Sequence, residues 1–222
     1  IVPYEGAATG VGGNVRDVCC MGAKVIAVGD GLRFGDIKRP KSKWIHEGVI
    51  AGIAGYGNPL GVPNVCGDLY YHPDYNENCL VTVLTLGALC EDDIIHSYAP
   101  ADAEGYDLIL IGKPTDNSGF GGASFASLVL EEEEKEKNKG AVQDPNAFLE
   151  RHILKSTYEL HKILKEKNLI DRVGFKDLGA GGIACASVEI ADGAGYGADV
   201  FLDDVHLGME NLSPAVILCS ET

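Results

Sequence analysis

Apolar positions along the chain fall into short, separated groups whose spacing predicts alternating helices and strands. Val15-Arg16-Asp17-Val18-Cys19-Cys20-Met21 reads as a helix with few polar groups, and Ala23-Lys24-Val25-Ile26-Ala27-Val28 as a buried strand ending at Gly29-Asp30-Gly31. Ile45, Val49 and Ile53 recur every four residues behind Ser42, a capping residue, and Tyr56-Gly57-Asn58-Pro59 is the stop signal within a closing segment from Gly55 to Pro63. Strands are expected from Asn64 to Tyr71 and from Leu80 to Leu89. Residues 74–78 between them spell Asp-Tyr-Asn-Glu-Asn, which hints at a calcium loop. Cys79 stands where that loop requires Gly, and Thr85 where it requires Glu, so the expectation is a hairpin turn.

A boundary is expected between Pro100 and Gly105, giving two domains, 1–100 and 101–222. The second opens with a short buried strand, Asp107 to Ile111, then Pro114-Thr115-Asp116-Asn117 and a glycine-rich turn, Gly119-Phe120-Gly121-Gly122-Ala123-Ser124, that leads to a small-residue helix. Glu131 to Lys139 is almost entirely charged and reads as an exposed edge. Asp144 as cap and Pro145 in the first turn begin a helix whose apolar stripe is Leu149, Ile153, Leu160 and Leu164, lasting to about Lys167. His152 and His161 on it read as surface or packing residues. A strand (Val173 to Phe175), a helix (Ile183 to Ile190) and two further strands (Ala198 to Leu202, Ala215 to Cys219) complete an α/β alternation.

Chemistry concentrates at the glycines. Gly6-Ala7-Ala8-Thr9-Gly10-Val11-Gly12-Gly13 reads as a turn feeding a helix start, whose unpaired N–H groups would converge on an anion. Arg16 adds a planar cation and Asp17 a hard oxygen ligand. Neighbours in a helix point about 100° apart, so the two should serve different partners. A dinucleotide fingerprint is rejected: its third glycine would fall on Val15, and no strand precedes the turn. Asp177-Leu178-Gly179-Ala180-Gly181-Gly182 places a second Asp beside a glycine-rich helix start, where it can bind a metal or serve the turn itself.

Net charge narrows the partners. At −15, from 18 basic and 33 acidic residues, the chain repels nucleic acid and anionic membranes, so a phosphorylated ligand must be small and captured locally. Seven cysteines, an odd number with no Cys-x-x-Cys, point to reduced, buried thiols and a cytoplasmic protein. No signal peptide and no apolar run near the spanning length is present in the 222 residues. The chain opens on Ile1 and stops after an apolar run at Ser220-Glu221-Thr222, which suggests a piece of something longer.

Taken together these segments resemble a known family. Gly6 to Gly13, Arg16-Asp17, Met21-Gly22-Ala23, Leu32-Arg33-Phe34-Gly35, Tyr56-Gly57-Asn58 with Gly61-Val62-Pro63, Gly121-Gly122-Ala123-Ser124-Phe125-Ala126-Ser127 and Asp177 to Gly182 fit, in order, the signature of phosphoribosylformylglycinamidine synthase. Val11 and Met21-Gly22-Ala23 favour its small, multi-subunit form. The resemblance implies a two-domain aminoimidazole ribonucleotide synthetase-like fold: a sheet domain that dimerises or pseudo-dimerises, then an α/β sandwich domain. It implies an ATP-dependent ligase of purine synthesis that makes an amidine from formylglycinamide ribonucleotide with ammonia derived from glutamine. ATP would be a substrate, Mg²⁺ the cofactor, and a glutaminase subunit and a small bridging subunit the partners. By motif, Arg16, Gln143, Glu221 and Thr222 would bind substrate, and Asp17 and Asp177 would share the Mg²⁺. No catalytic residue is implied within the chain: the family's His, with a Lys and a Glu that meet ATP and metal, would lie before Ile1, so the isolated segment is expected to be inactive. The family's Gly-Arg-Asp-Gly is Asp116-Asn117-Ser118-Gly119 here, which puts a charge contact in doubt. The alternatives are a related enzyme of the aminoimidazole ribonucleotide, selenophosphate or thiamine phosphate group, or a non-catalytic nucleotide-binding half.

Overall fold

The computed structural model describes residues 2–122 and 142–221. Its first element is not a turn. Helix α1 runs unbroken over Pro3–Cys20, and every glycine from Gly6 to Gly13 lies inside it. Ala7, Ala8, Val11, Val15 and Cys19, spaced at three to four, form its buried stripe. The expected cradle of unpaired N–H groups is therefore absent at Gly6–Gly13, because those groups belong to the helix ladder.

Strand β1 (Lys24–Phe34) continues through Gly29-Asp30-Gly31 rather than stopping there, and is the middle of a three-stranded sheet. Strand β2 (Asn64–Tyr71) pairs with it in parallel, and β3 (Leu80–Ala88) antiparallel, in the order β2-β1-β3. The segment between β2 and β3 thus carries the chain across β1 and is not a hairpin turn; Pro73–Tyr75 forms a short 3₁₀ turn within it. Val81 and Val83 of β3 pack toward the helices, so Leu80, Leu84 and Leu86 point to the opposite, exposed face.

Helix α2 (Pro40–Leu60) passes the expected stop. Pro40 occupies its first turn, and it ends at Gly61, whose left-handed φ of +68° lets its N–H reach the carbonyls of Gly57 and Asn58. Ser42 is no cap: it is buried, and its hydroxyl donates to the Asn76 carbonyl. The extra turn carries Tyr56 and Leu60 into the core with Val11, Val15, Val28 and Leu154. Polar groups share this interior, Asp30 on β1 among them. Asp30, 7% exposed, accepts a hydrogen bond from the Asn64 amide, while its Oδ1 is buried without a partner among the described residues.

Helix α3 (Ala147–Glu166) lies against α1 and α2. Its cap is Asn146, whose Oδ1 accepts from the Leu149 N–H at 3.0 Å, not Asp144. The stripe is also shifted from the expected one: Glu150, Leu154, Thr157 and Leu164 are buried, and Leu160 is exposed. Helix α4 (Gly182–Asp192) matches the expected glycine-rich helix start.

The expected strands of the second half differ. Residues 107–111 form no strand and expose Leu108 to Ile111. Around Val173 to Phe175 there is a single bridge, Gly174 to His96. Residues 198–201 are irregular, Leu202 opens a short 3₁₀ turn (Leu202–Asp204), and 215–219 are part of helix α5 (Pro214–Cys219). The last has a clear cause. Ser213 caps the Val216 N–H and Pro214 sits in the first turn, a helix-start pair that outweighs the β-branched residues behind it. The expected readings of Glu131 to Lys139 and of the helix after Gly122 lie outside the described residues.

Candidate functional site

Arg16 and Asp17 leave α1 in different directions and find different partners. Arg16 turns inward. Its Nη1 donates to Oε2 of Glu150 at 2.5 Å, and the Tyr56 hydroxyl donates to the same oxygen at 2.6 Å. Burial pushes the Glu150 carboxyl up, partly offset by Arg16 and Tyr56, and pushes the Tyr56 phenol up, helped by the Glu150 charge. Burial opposes the Arg16 cation, but the charge and hydrogen bond of Glu150, with Tyr56 and Asp177, together outweigh it and hold the guanidinium above its usual value.

Asp17 turns toward Asp177, the last acidic residue before the glycine-rich entry to α4. Asp17 lies in the field of Asp177, and desolvation followed by the Asp177 charge lifts its carboxyl to about 6. Two carboxyls that face each other in this way form a hard-oxygen pair that suits a divalent cation. Mg²⁺ takes one or two carboxylates and completes its shell with phosphate oxygens and water, so the pair fits it. Among the described residues no group of three or more His, Cys, Asp or Glu is placed to hold a metal, so such an ion would take its remaining ligands from elsewhere. Lys176, beside Asp177, is drawn off to Glu189 at 2.6 Å.

Glu221 approaches the same region. Its N–H donates to the Ser118 carbonyl at 3.1 Å, and its side chain lies against Gly119, where a Cβ would sit 2.7 Å from the Glu221 Cβ. Burial raises its carboxyl, and the Arg16 charge pulls the other way. The structure therefore gathers Asp17, Asp177 and Glu221 within the electrostatic reach of Arg16. Gln143 stands apart. It lines a cavity of about 350 Å³ with Glu5, Asn117, Ser118 and Asp144, and its carbonyl accepts from the Thr9 hydroxyl at 3.2 Å. Ser118 connects the two places, lining that cavity and holding Glu221. Thr222 lies outside the described residues.

The altered segment at Asp116–Gly119 has a cation nonetheless. Lys113 donates to Asp116 at 2.9 Å and to the Ser118 hydroxyl at 3.3 Å. Burial raises the Asp116 carboxyl, but Lys113 and the Ser118 N–H outweigh it and hold it below its usual value.

Comparison with known proteins places this arrangement. Residues 1–89 match the AIR synthase related protein, N-terminal domain, and residues 103–222 the AIR synthase related protein, C-terminal domain. The chain belongs to the AIR synthase related family. Within it, the whole chain is 49% identical to phosphoribosylformylglycinamidine synthase subunit PurL of Methanothrix thermoacetophila, of which it spans 29%. It is 45% identical to the subunit of the same name from an Anaeromyxobacter species, spanning 28%. The chain thus spans under a third of the length of these relatives. Among solved structures, T. maritima PurL complexed with FGAR matches the whole chain with a TM-score of 0.81 and 36% identity, over 34% of its own length. T. maritima PurL complexed with ATP matches 99% of the chain with a TM-score of 0.73 and 33% identity, over 32% of its length.

Reading along the sequence missed Glu150 and Tyr56. Both come from helices remote from Arg16 in the chain, and a Glu on a helix ordinarily reads as a solvated position. The available signal was the spacing Glu150, Leu154, Thr157, Leu164, which is a helical stripe with a carboxylate at its head.

Proposed function

We propose that this chain is part of an ATP-dependent phosphoribosylformylglycinamidine synthase, a ligase of purine synthesis. The observation that carries the reading is the convergence of two carboxylates, Asp17 and Asp177, on a site within the field of Arg16. A nucleoside triphosphate and a phosphorylated amide need such a set: hard oxygen ligands for a Mg²⁺–phosphate group and a cation for an anionic substrate. Identity across the whole chain with subunits named for this activity, and likeness to PurL structures complexed with FGAR and with ATP, support the choice within the family.

In this reading ATP transfers its γ-phosphoryl group to the amide oxygen of formylglycinamide ribonucleotide. Ammonia then attacks the activated carbon and phosphate leaves with the oxygen, giving the amidine, ADP and phosphate. Asp17 and Asp177 would hold Mg²⁺, which neutralises phosphate charge during transfer. Arg16 and Glu221 orient the substrate, and Gln143 meets it from the cavity beside Ser118. Thr222 joins Glu221 in that role. Ammonia would come from a glutaminase subunit docked through a small bridging subunit. In support, no thiol among the described residues is hydrogen-bonded to a histidine, and burial pushes Cys19 up to about 12, far from a nucleophile's range. The exposed leucines of β3 support a sheet domain, residues 1–100, that pairs with a second copy or a repeat of itself, ahead of a sandwich domain at 101–222. No helix among the described residues is long and apolar enough to cross a membrane, and the thiol-rich composition supports a cytoplasmic setting.

The test uses the full-length protein with formylglycinamide ribonucleotide, ATP, Mg²⁺ and ammonium chloride. Amidine formation coupled one-to-one to ADP is the expected result. ADP release without amidine, or activity only with a different phosphorylated amide, overturns it.

A further inference from the structure

Glu150 sits at the meeting point of three helices and is 2% exposed. A buried Arg–carboxylate pair ordinarily uses both oxygens against both guanidinium N–H groups. Here a single oxygen, Oε2, takes both Arg16 at 2.5 Å and Tyr56 at 2.6 Å, while Oε1 is buried with no partner among the described residues. The guanidinium carries five N–H donors, and among the described residues Glu150 Oε2 is its only hydrogen-bond acceptor. An ion pair whose purpose was only to dock α3 would not leave both partners so incompletely used.

We propose that Glu150 and Tyr56 are positioning residues for Arg16: they hold the guanidinium by one contact and leave its remaining donors to an anionic group of the substrate. Gly12 belongs to the same device, since the Tyr56 ring fills the space a Cβ there would occupy, at 2.7 Å. The phenol is thereby fixed from one side by α1 and from the other by Glu150, and it cannot follow Arg16 if the ligand pulls. The proposal rests on the reading of Arg16 as a substrate residue, and it adds the two side chains that set where its head lies.

The experiment compares Tyr56→Phe, Glu150→Gln and wild type in the full-length protein, by steady-state kinetics and by crystal structure. Tyr56→Phe removes one hydroxyl and keeps the packing, so it serves where Glu150→Gln fails to fold. Loss of one hydrogen bond to a charged group predicts about a tenfold rise in KM for formylglycinamide ribonucleotide. The KM for ATP should stay within twofold, and the Arg16 head should be displaced in the crystal. The double variant should be no worse than Glu150→Gln, because the two act through one side chain. A lower melting temperature with unchanged KM and an unmoved Arg16 overturns the proposal, as does an equal rise in both KM values. If wild type makes no amidine, the proposed function fails. The structure of Tyr56→Phe still decides this inference, supported by a displaced guanidinium and overturned by an unmoved one.

Discussion

Substituting Ala for Gly12 should destabilise the protein, although Ala is the better helix former. In an exposed helix interior, Gly→Ala gains about 1 kcal/mol. Gly6 and Gly13 have nothing within 4 Å of an added Cβ, so Gly6→Ala and Gly13→Ala should realise most of that gain. At Gly12 the Cβ would lie 2.7 Å from Cε1, Cζ and the oxygen of Tyr56. Restoring ordinary contact near 3.4 Å moves the ring about 0.7 Å. Tyr56 is 4% exposed and cannot yield toward solvent, so its 2.6 Å bond to Glu150 lengthens or breaks. Overpacking costs about 1–3 kcal/mol and a weakened hydrogen bond to a carboxylate about 1.5–3 kcal/mol. Less the helix gain, the net loss is about 1.5–5 kcal/mol. For a domain of this size that is a fall of roughly 3–20 °C in melting temperature, against a rise of about 1–4 °C for Gly13→Ala. Thermal unfolding of the three variants side by side reads the result. A Gly12→Ala melting temperature within 2 °C of Gly13→Ala would refute the packing argument.

Three further outcomes are expected. Asp30→Asn should raise stability at neutral pH, because burial lifts the Asp30 carboxyl; a raised carboxyl contributes stability below its unfolded value that is lost as pH rises, so the variant's advantage should vanish near pH 3.8 and grow above it in melting curves taken across pH. Asp17→Asn and Asp177→Asn should each weaken Mg²⁺-dependent ATP turnover in the full-length protein by similar factors, with little further loss in the double variant; fully multiplicative losses would show that the two do not serve one ion. Mass mapping after brief alkylation at pH 8 should find Cys19 and Cys20 unmodified, since burial pushes both thiols up, and rapid labelling of either would contradict their placement.

Legibility followed how local each determinant is. β2 and β3 were readable because runs of β-forming residues bounded by turn residues need no distant partner to be recognised. Their partner was not: both strands join β1, and nothing in residues 72–79 encodes that crossing. The glycines of α1 misled because composition says turn, whereas the stripe Ala8, Val11, Val15, Cys19 on the same residues says helix and is the stronger determinant once the core exists. Pro214–Cys219 shows the reverse error, β-branched residues outvoting a Ser-Pro helix start. At the site, the expectation that Arg16 and Asp17 serve different partners follows from helix geometry alone, and the structure gives them Glu150 and Asp177. Glu150 itself was illegible as a site residue, because its burial comes from α1 and α2 and not from its own helix.

The Arg16–Glu150 contact spans 134 positions, and that distance acquires a meaning while the protein is being made. At about 5–20 residues per second, a ribosome needs roughly 7–27 s after synthesising Arg16 to deliver Glu150. Over that interval α1 and α2 can close on β1, but the surface awaiting α3 stays open, with a guanidinium and a phenol facing no carboxylate and Leu60 lacking Leu154. The nascent first half is therefore a surface for holding factors or for misassembly until residue 166 has emerged. Slowing translation just before Ala147 should lengthen that exposure and lower soluble yield, whereas the same pause after Glu166 should not.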